Sequence, residues 1–179
     1  MKKINYTLFL IVRLMFITNL LFGNTMENLK PDKPISSSDV MLDVVDGAIQ
    51  VKLDWLERPG EFALTVLYWG PLTQEGNVNL WVNFNGVSRN FLTLCEMPDR
   101  RQMLVIYSFQ PTIKSSDGNV QIRELQPWEI VDTNLFQNSA YYKEFGTNSI
   151  EFKFFANGRW EGDRKNNNQN WRCVFSPPK

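Results

Sequence analysis

The side chains in this chain that could do chemistry are carboxylates, amides and indoles, because histidine is absent from all 179 residues. That absence removes Ser-His-Asp and Cys-His catalysis, histidine-ligated zinc, copper or haem, and any imidazole pH switch. Two carboxylates suffice for glycoside hydrolysis. The candidate pairs, Glu161 with Asp163 and Asp43 with Asp46, are close neighbours in sequence and read more simply as solvated acids on turns. There is no G-x-S-x-G elbow, no phosphate-binding glycine loop and no EF-hand loop. The oxygen-rich peptide Asp163–Asn168 has Arg164 and Lys165 set among its potential calcium ligands, which makes it a weak cation site. The chain therefore reads as non-catalytic, with no cofactor and no metal centre.

The informative stretch is Ser149–Phe175, SIEFKFFANGRWEGDRKNNNQNWRCVF. It reads as a strand, an Asn-Gly turn, an exposed Trp160, an Asn-rich loop, and Trp171 opening a last strand. A flat ring beside amides and charges is what sugar recognition requires: the C–H face of a pyranose packs on the ring while amides bond its hydroxyls. Trp160, Asp163, Asn166, Asn167 and Asn168 are the candidate ligand-binding residues here. Trp69 and Asn85, each at the end of a strand next to a turn, join them from upstream. The plain alternative is a long hairpin with Trp160 folded over a sheet edge and the Asn run serving as turn chemistry.

The same stretch resembles the end of the starch-binding modules of carbohydrate-binding families 25 and 53, found on amylases and starch synthases. Those modules close with an alternating apolar strand, a turn, and a W-D-N-N-x-G-x-N-Y-like loop leading into a last strand. Trp160 matches the loop Trp, Asp163 or Glu161 the Asp, Asn166 to Asn168 the Asn pair, and Asn170-Trp171 the Asn-Tyr. Upstream, Leu67-Tyr68-Trp69-Gly70-Pro71 is similar to their early aromatic strand end, and Val78–Gly86 to their strand before a Gly-aromatic turn. Val87-Ser88 stands where those modules place a second sugar-stacking Trp, and Arg164-Lys165 interrupts the loop. The resemblance covers about residues 62–175 and implies a β-sandwich that binds polysaccharide, with α-glucans as the first candidate.

Strand signals supply the elements that must position these groups. Met41–Val45, Ile49–Trp55, Phe62–Trp69, Met103–Phe109, Val120–Ile122, Ile150–Phe154 and Trp171–Phe175 are short runs with alternating or continuous apolar character. Phe62–Trp69 is apolar on both faces and reads as a central strand. Val78, Leu80, Val82 and Phe84 alternate with an outer face of asparagines that includes Trp81. Trp55, Trp128 and Trp171 read as core or edge packing. Pro127–Thr147 has no clean period and is expected to be a long irregular loop, with a short helix inside it as the alternative. Short strands at spacings near ten residues predict an all-β, immunoglobulin-like antiparallel sandwich over residues 41–176.

The ends and the charge bound the setting. Lys2-Lys3 followed by the apolar run Leu8–Phe22 is a signal-peptide pattern over residues 1–23, with an uncleaved anchor as the alternative. Residues 24–40, with Pro31, Pro34 and Ser36-Ser37-Ser38, read as a flexible arm. Cleavage would remove Lys2, Lys3 and Arg13 and no acid, leaving 16 basic against 19 acidic side chains, a net charge of −3. A mildly acidic exported domain, secreted or periplasmic and without a membrane span once processed, is poorly suited to nucleic acid or anionic lipid. Export permits a disulfide between Cys95 and Cys173, against the alternative of two separate thiols. Two functions follow: a secreted carbohydrate-binding module, or an exported structural or interaction domain whose aromatics meet a protein partner or another copy.

Overall fold

The computed structural model describes residues 36–44, 46–56, 61–135, 148–161 and 167–175. The expected signal-peptide segment and most of the expected arm lie outside them. Thirteen strands carry the fold: β1 Ser36–Val44, β2 Gly47–Trp55, β3 Phe62–Trp69, β4 Asn79–Phe84, β5 Val87–Thr93, β6 Cys95–Glu96, β7 Gln102–Tyr107, β8 Thr112–Lys114, β9 Val120–Ile122, β10 Glu129–Val131, β11 Asn148–Ala156, β12 Arg159–Trp160 and β13 Trp171–Phe175. A single 3-10 turn, Pro71–Gln74, follows β3. Among the described residues no helix is long and apolar enough to cross a membrane.

The protein is an all-β sandwich. One sheet runs β1-β2-β3-β7-β10, with β6 also pairing β7, and the other runs β12-β11-β4-β5, with β13 also pairing β11. Every pairing in the two sheets is antiparallel except β7 with β10, where three residues add in parallel. β3 is central, as its two apolar faces require. The inward side chains of β2, β3 and β7 (Val51, Leu53, Leu64, Val66, Leu104 and Ile106 among them) are fully or almost fully buried. They meet Leu80, Val82 and Phe84 of β4 and Ile150, Phe152 and Phe154 of β11 in one core. Rings bridge the two sheets, with Phe62 and Phe84 centroids 5.2 Å apart and Tyr68 and Phe154 4.4 Å apart. Full burial of side chains this size stabilises by roughly 1.5–3 kcal/mol each relative to exposure.

The strands depart from the expectations at two places. β1 begins at Ser36, so the end of the presumed arm is strand: Ser36–Val40 pair with Val51–Trp55 of β2. Gly47 opens β2 so close to the end of β3 that a Cβ there would run into the Trp69 carbonyl oxygen. Within the expected irregular loop, Glu129–Val131 form β10, and residues 136–147 lie outside the described structure.

The described residues form two compact units, the sandwich and the β8–β9 hairpin of Thr112–Ile122. In the hairpin Thr112 pairs with Ile122 and Lys114 with Val120. Its turn is held by the Asp117 carboxylate, which accepts from the Asn119 amide N–H at 3.1 Å and from Asn119 Nδ2 at 2.7 Å.

Candidate functional site

The outer face of the second sheet is built by simple alternation. On β4, Leu80, Val82 and Phe84 point into the core, which turns Asn79, Trp81 and Asn83 outward. On β11, burying Ile150, Phe152, Phe154 and Ala156 turns Glu151, Lys153 and Phe155 outward. The register sets Trp81 opposite Lys153 and Asn79 opposite Phe155. An Asn157-Gly158 turn, with φ of 46° and 79°, folds β12 back on β11 and brings Trp160 opposite Phe155.

A β-bulge completes this face. Leu80 pairs with Leu92 while Val82 pairs with Arg89, so Trp81 faces two residues of β5, Asn90 and Phe91. Phe91 takes φ of 55°, a left-handed conformation unusual for a bulky side chain. Its ring then lies 5.5 Å from Phe155 and 6.2 Å from Trp160, and Phe155 lies 5.1 Å from Trp160. Trp81, Asn90, Phe91, Lys153, Trp160 and Asn170 line an open cleft of about 500 Å³. Phe91 and Trp160 remain 55% and 46% exposed. Exposed rings gathered on one face and edged by polar groups mark an interaction surface.

Polar groups frame the rings. Lys153 Nζ donates to the Asn168 carbonyl oxygen at 2.6 Å, and Asn170 Nδ2 donates to Glu151 Oε1 at 2.8 Å. Asn167 and Asn168 both adopt positive φ, 50° and 59°, a conformation asparagine tolerates better than most residues. Asn168 thus acts through its backbone, aiming its carbonyl at Lys153. Asn90 offers an amide with no partner among the described residues.

The expected site residues fare unequally. Trp160 lies on the cleft, while Asn167 and Asn168 are exposed in the adjoining loop; Asp163 and Asn166 lie outside the described residues. Asn85 is corrected to a structural role. It is 3% exposed at positive φ in the β4–β5 turn, its N–H donates to the Ser149 carbonyl at 2.9 Å, and its Oδ1 accepts from the Ser149 N–H at 2.8 Å. Trp69 does not join Trp160. It ends β3 in the other sheet and lines a separate cleft of about 540 Å³ with Asp46, Pro71, Arg100 and Arg101. Trp81, Phe91, Lys153 and Asn90 line the cleft without having been singled out as ligand-binding candidates, and Asn170, matched above to the Asn of the loop motif, joins them. Alternation already turns Trp81 outward, but nothing in the sequence of β5 announces the bulge that lifts Phe91.

The two cysteines are free thiols. Cys95 pairs with Met103 on the outer side of the first sheet and donates its S–H to the Pro127 carbonyl at 2.9 Å. Cys173 is buried in the core beneath the second sheet. A disulfide needs Cα atoms within about 7 Å, whereas packed sheets alone stand about 10 Å apart. Burial pushes the Cys173 thiol up to about 11, so it stays protonated and inert at neutral pH. Of the acid pairs, Glu161 is buried and accepts from Trp171 Nε1 at 3.2 Å, tying the start of the Asn-rich loop to β13.

Compared with protein-family models, curated proteins and solved structures, the chain matches none.

Proposed function

We propose that this protein is an exported, non-catalytic carbohydrate-binding β-sandwich whose ligand lies across the outer face of the second sheet. The observation that carries the reading is the open cleft lined by Trp81, Phe91 and Trp160 together with Asn90 and Asn170. Indole and phenyl rings offer flat apolar surfaces to the C–H faces of sugar rings. Neighbouring amides supply paired donors and acceptors for hydroxyls, and an open groove admits a chain rather than a single small molecule. Trp69, in its own cleft, is not part of this site. The similarity to starch-binding modules makes α-glucans the first ligands to try, followed by cell-wall polysaccharides.

The test is isothermal titration and affinity electrophoresis of the purified protein against starch, glycogen and cell-wall glycans, with Trp81→Ala and Trp160→Ala beside it. Binding is expected to weaken at least ten-fold in each variant, about 1.4 kcal/mol. Trp160 is half exposed, so its variant should melt close to the parent. Absence of binding to every glycan, with concentration-dependent self-association instead, would replace this reading with that of an interaction domain.

A further inference from the structure

Among the described residues lining the cleft, only Lys153 carries a charge, and it is positive. Resting on the glycan-binding reading of this face, we infer that the natural ligand is an anionic polysaccharide, bearing uronate or sulfate groups, and that Lys153 receives the anion. An ammonium has three donors. One is committed to the Asn168 carbonyl at 2.6 Å, which fixes the head group without neutralising it. No carboxylate among the described residues lies within ion-pair distance of Lys153. The acid nearest along its strand and on the same face is Glu151, which is engaged by Asn170 Nδ2 at 2.8 Å. Among the described residues, other cations of this sheet are arranged differently: Arg159 is paired with Glu75 at 2.9 Å, and Arg172 donates to Ser149 Oγ at 3.2 Å, further along the sheet.

The surroundings raise what this charge can do. Lys153 sits directly across from Trp81 on the neighbouring strand, in a cleft walled by Phe91 and Trp160. A ligand stacked on those rings displaces water and leaves the ammonium in a medium of lower dielectric, where an opposite charge is attracted more strongly. A neutral sugar in the same place would strip water from the ammonium and return only hydroxyl contacts, at a desolvation cost that the anion offsets. The loop that aims Asn168 at Lys153 thus holds the group before the ligand arrives, which reduces the ordering cost of binding.

The experiment titrates the full-length protein with polygalacturonate and its methyl-esterified form, and with dextran sulfate and dextran, at low and moderate salt. The anionic member of at least one pair is expected to bind ten-fold or more tightly than its neutral partner, with the advantage shrinking as salt rises. Lys153→Met and Lys153→Gln should lower anionic binding to the neutral level and leave the melting transition in place, while Lys153→Arg should retain the preference. The pair that shows it tells carboxylate from sulfate. Equal binding of charged and neutral polymers, or an anionic preference unchanged in both neutral variants, overturns the inference while leaving the sugar-binding face intact. No binding to any of these polymers, nor to starch, glycogen and neutral cell-wall glycans, removes the underlying reading as well.

Discussion

Asn85 shows how one residue type can serve two purposes that look alike in sequence. It belongs to an alternating series of asparagines, Asn77, Asn79, Asn83 and Asn85, that reads as one solvent-facing row. The chain turns at Asn85-Gly86, however, with φ of 49° and 90°, and there the side chain folds inward to cap Ser149 of β11. Asparagine is selected at such a position because it tolerates the left-handed region and can bond backbone nearby. Asn85→Ala removes a buried acceptor, leaves the Ser149 N–H without it, and puts a less tolerant residue at positive φ. The expected cost is about 1–3 kcal/mol in urea unfolding, with affinity for glycan unchanged in the folded fraction. A variant as stable as the parent but weaker in binding would return Asn85 to the ligand site. Trp160, in contrast, was legible from sequence, because an Asn-Gly turn just before an aromatic in a polar run leaves the ring few places to hide.

At the scale of elements, strands that alternate cleanly or are apolar throughout were legible, and those held by something other than periodicity were not. β5 was hidden because its bulge breaks the two-residue repeat, and β10 because three residues carry too little pattern. What holds β10 is a polar clamp. Arg123 Nη1 and Nη2 donate to Glu129 at 2.8 and 2.9 Å, Tyr107 OH donates to Glu129 Oε1 at 2.8 Å, and the Gln126 N–H donates to Oε2 at 2.8 Å. Burial alone would raise the Glu129 carboxyl, but Arg123, the Gln126 amide and Tyr107 together outweigh it and hold the group below the usual carboxylate range. A depressed value in the folded state means the unfolded chain takes up the proton first. The clamp's stabilisation is therefore fully present above about pH 4.5 and is lost as pH falls below that. Glu129→Gln leaves a partly buried Arg123 without its counter-charge and is expected to cost about 2–4 kcal/mol at pH 7. Parent and variant should converge as the pH falls through the depressed value of the folded state and the carboxylate takes up its proton. Denaturant melts at a series of pH values check this, and a gap that persists unchanged at acid pH would refute it.

The whole molecule reveals what no single segment could. The cleft joins Trp81 to Lys153 across strands separated by some seventy positions in the chain. Periodicity says which way each side chain points but not which strands become neighbours, so the all-β sandwich was legible while the aromatic cleft on its face was not. The same view sets the β8–β9 hairpin apart. Thr112–Ile122 form a unit of their own, with Val120 and Ile122 56% and 70% exposed. The sandwich closes the base of this excursion itself, because the Arg123 N–H donates to the Pro111 carbonyl at 2.9 Å. With the ends already one hydrogen bond apart, a two-residue Asn-Gly link can replace the whole excursion in a hairpin turn geometry. Shortening a loop lowers the entropic cost of closing it, by about 1.5 kcal/mol for eleven residues cut to two. The protein with residues 112–122 replaced by Asn-Gly should therefore unfold in one transition within about 2 kcal/mol of the parent, and keep the Trp81, Trp160 and Lys153 phenotypes in glycan titrations. Loss of the cooperative transition would show that the hairpin supports the sandwich. Loss of binding with the melt intact would place the hairpin in ligand recognition.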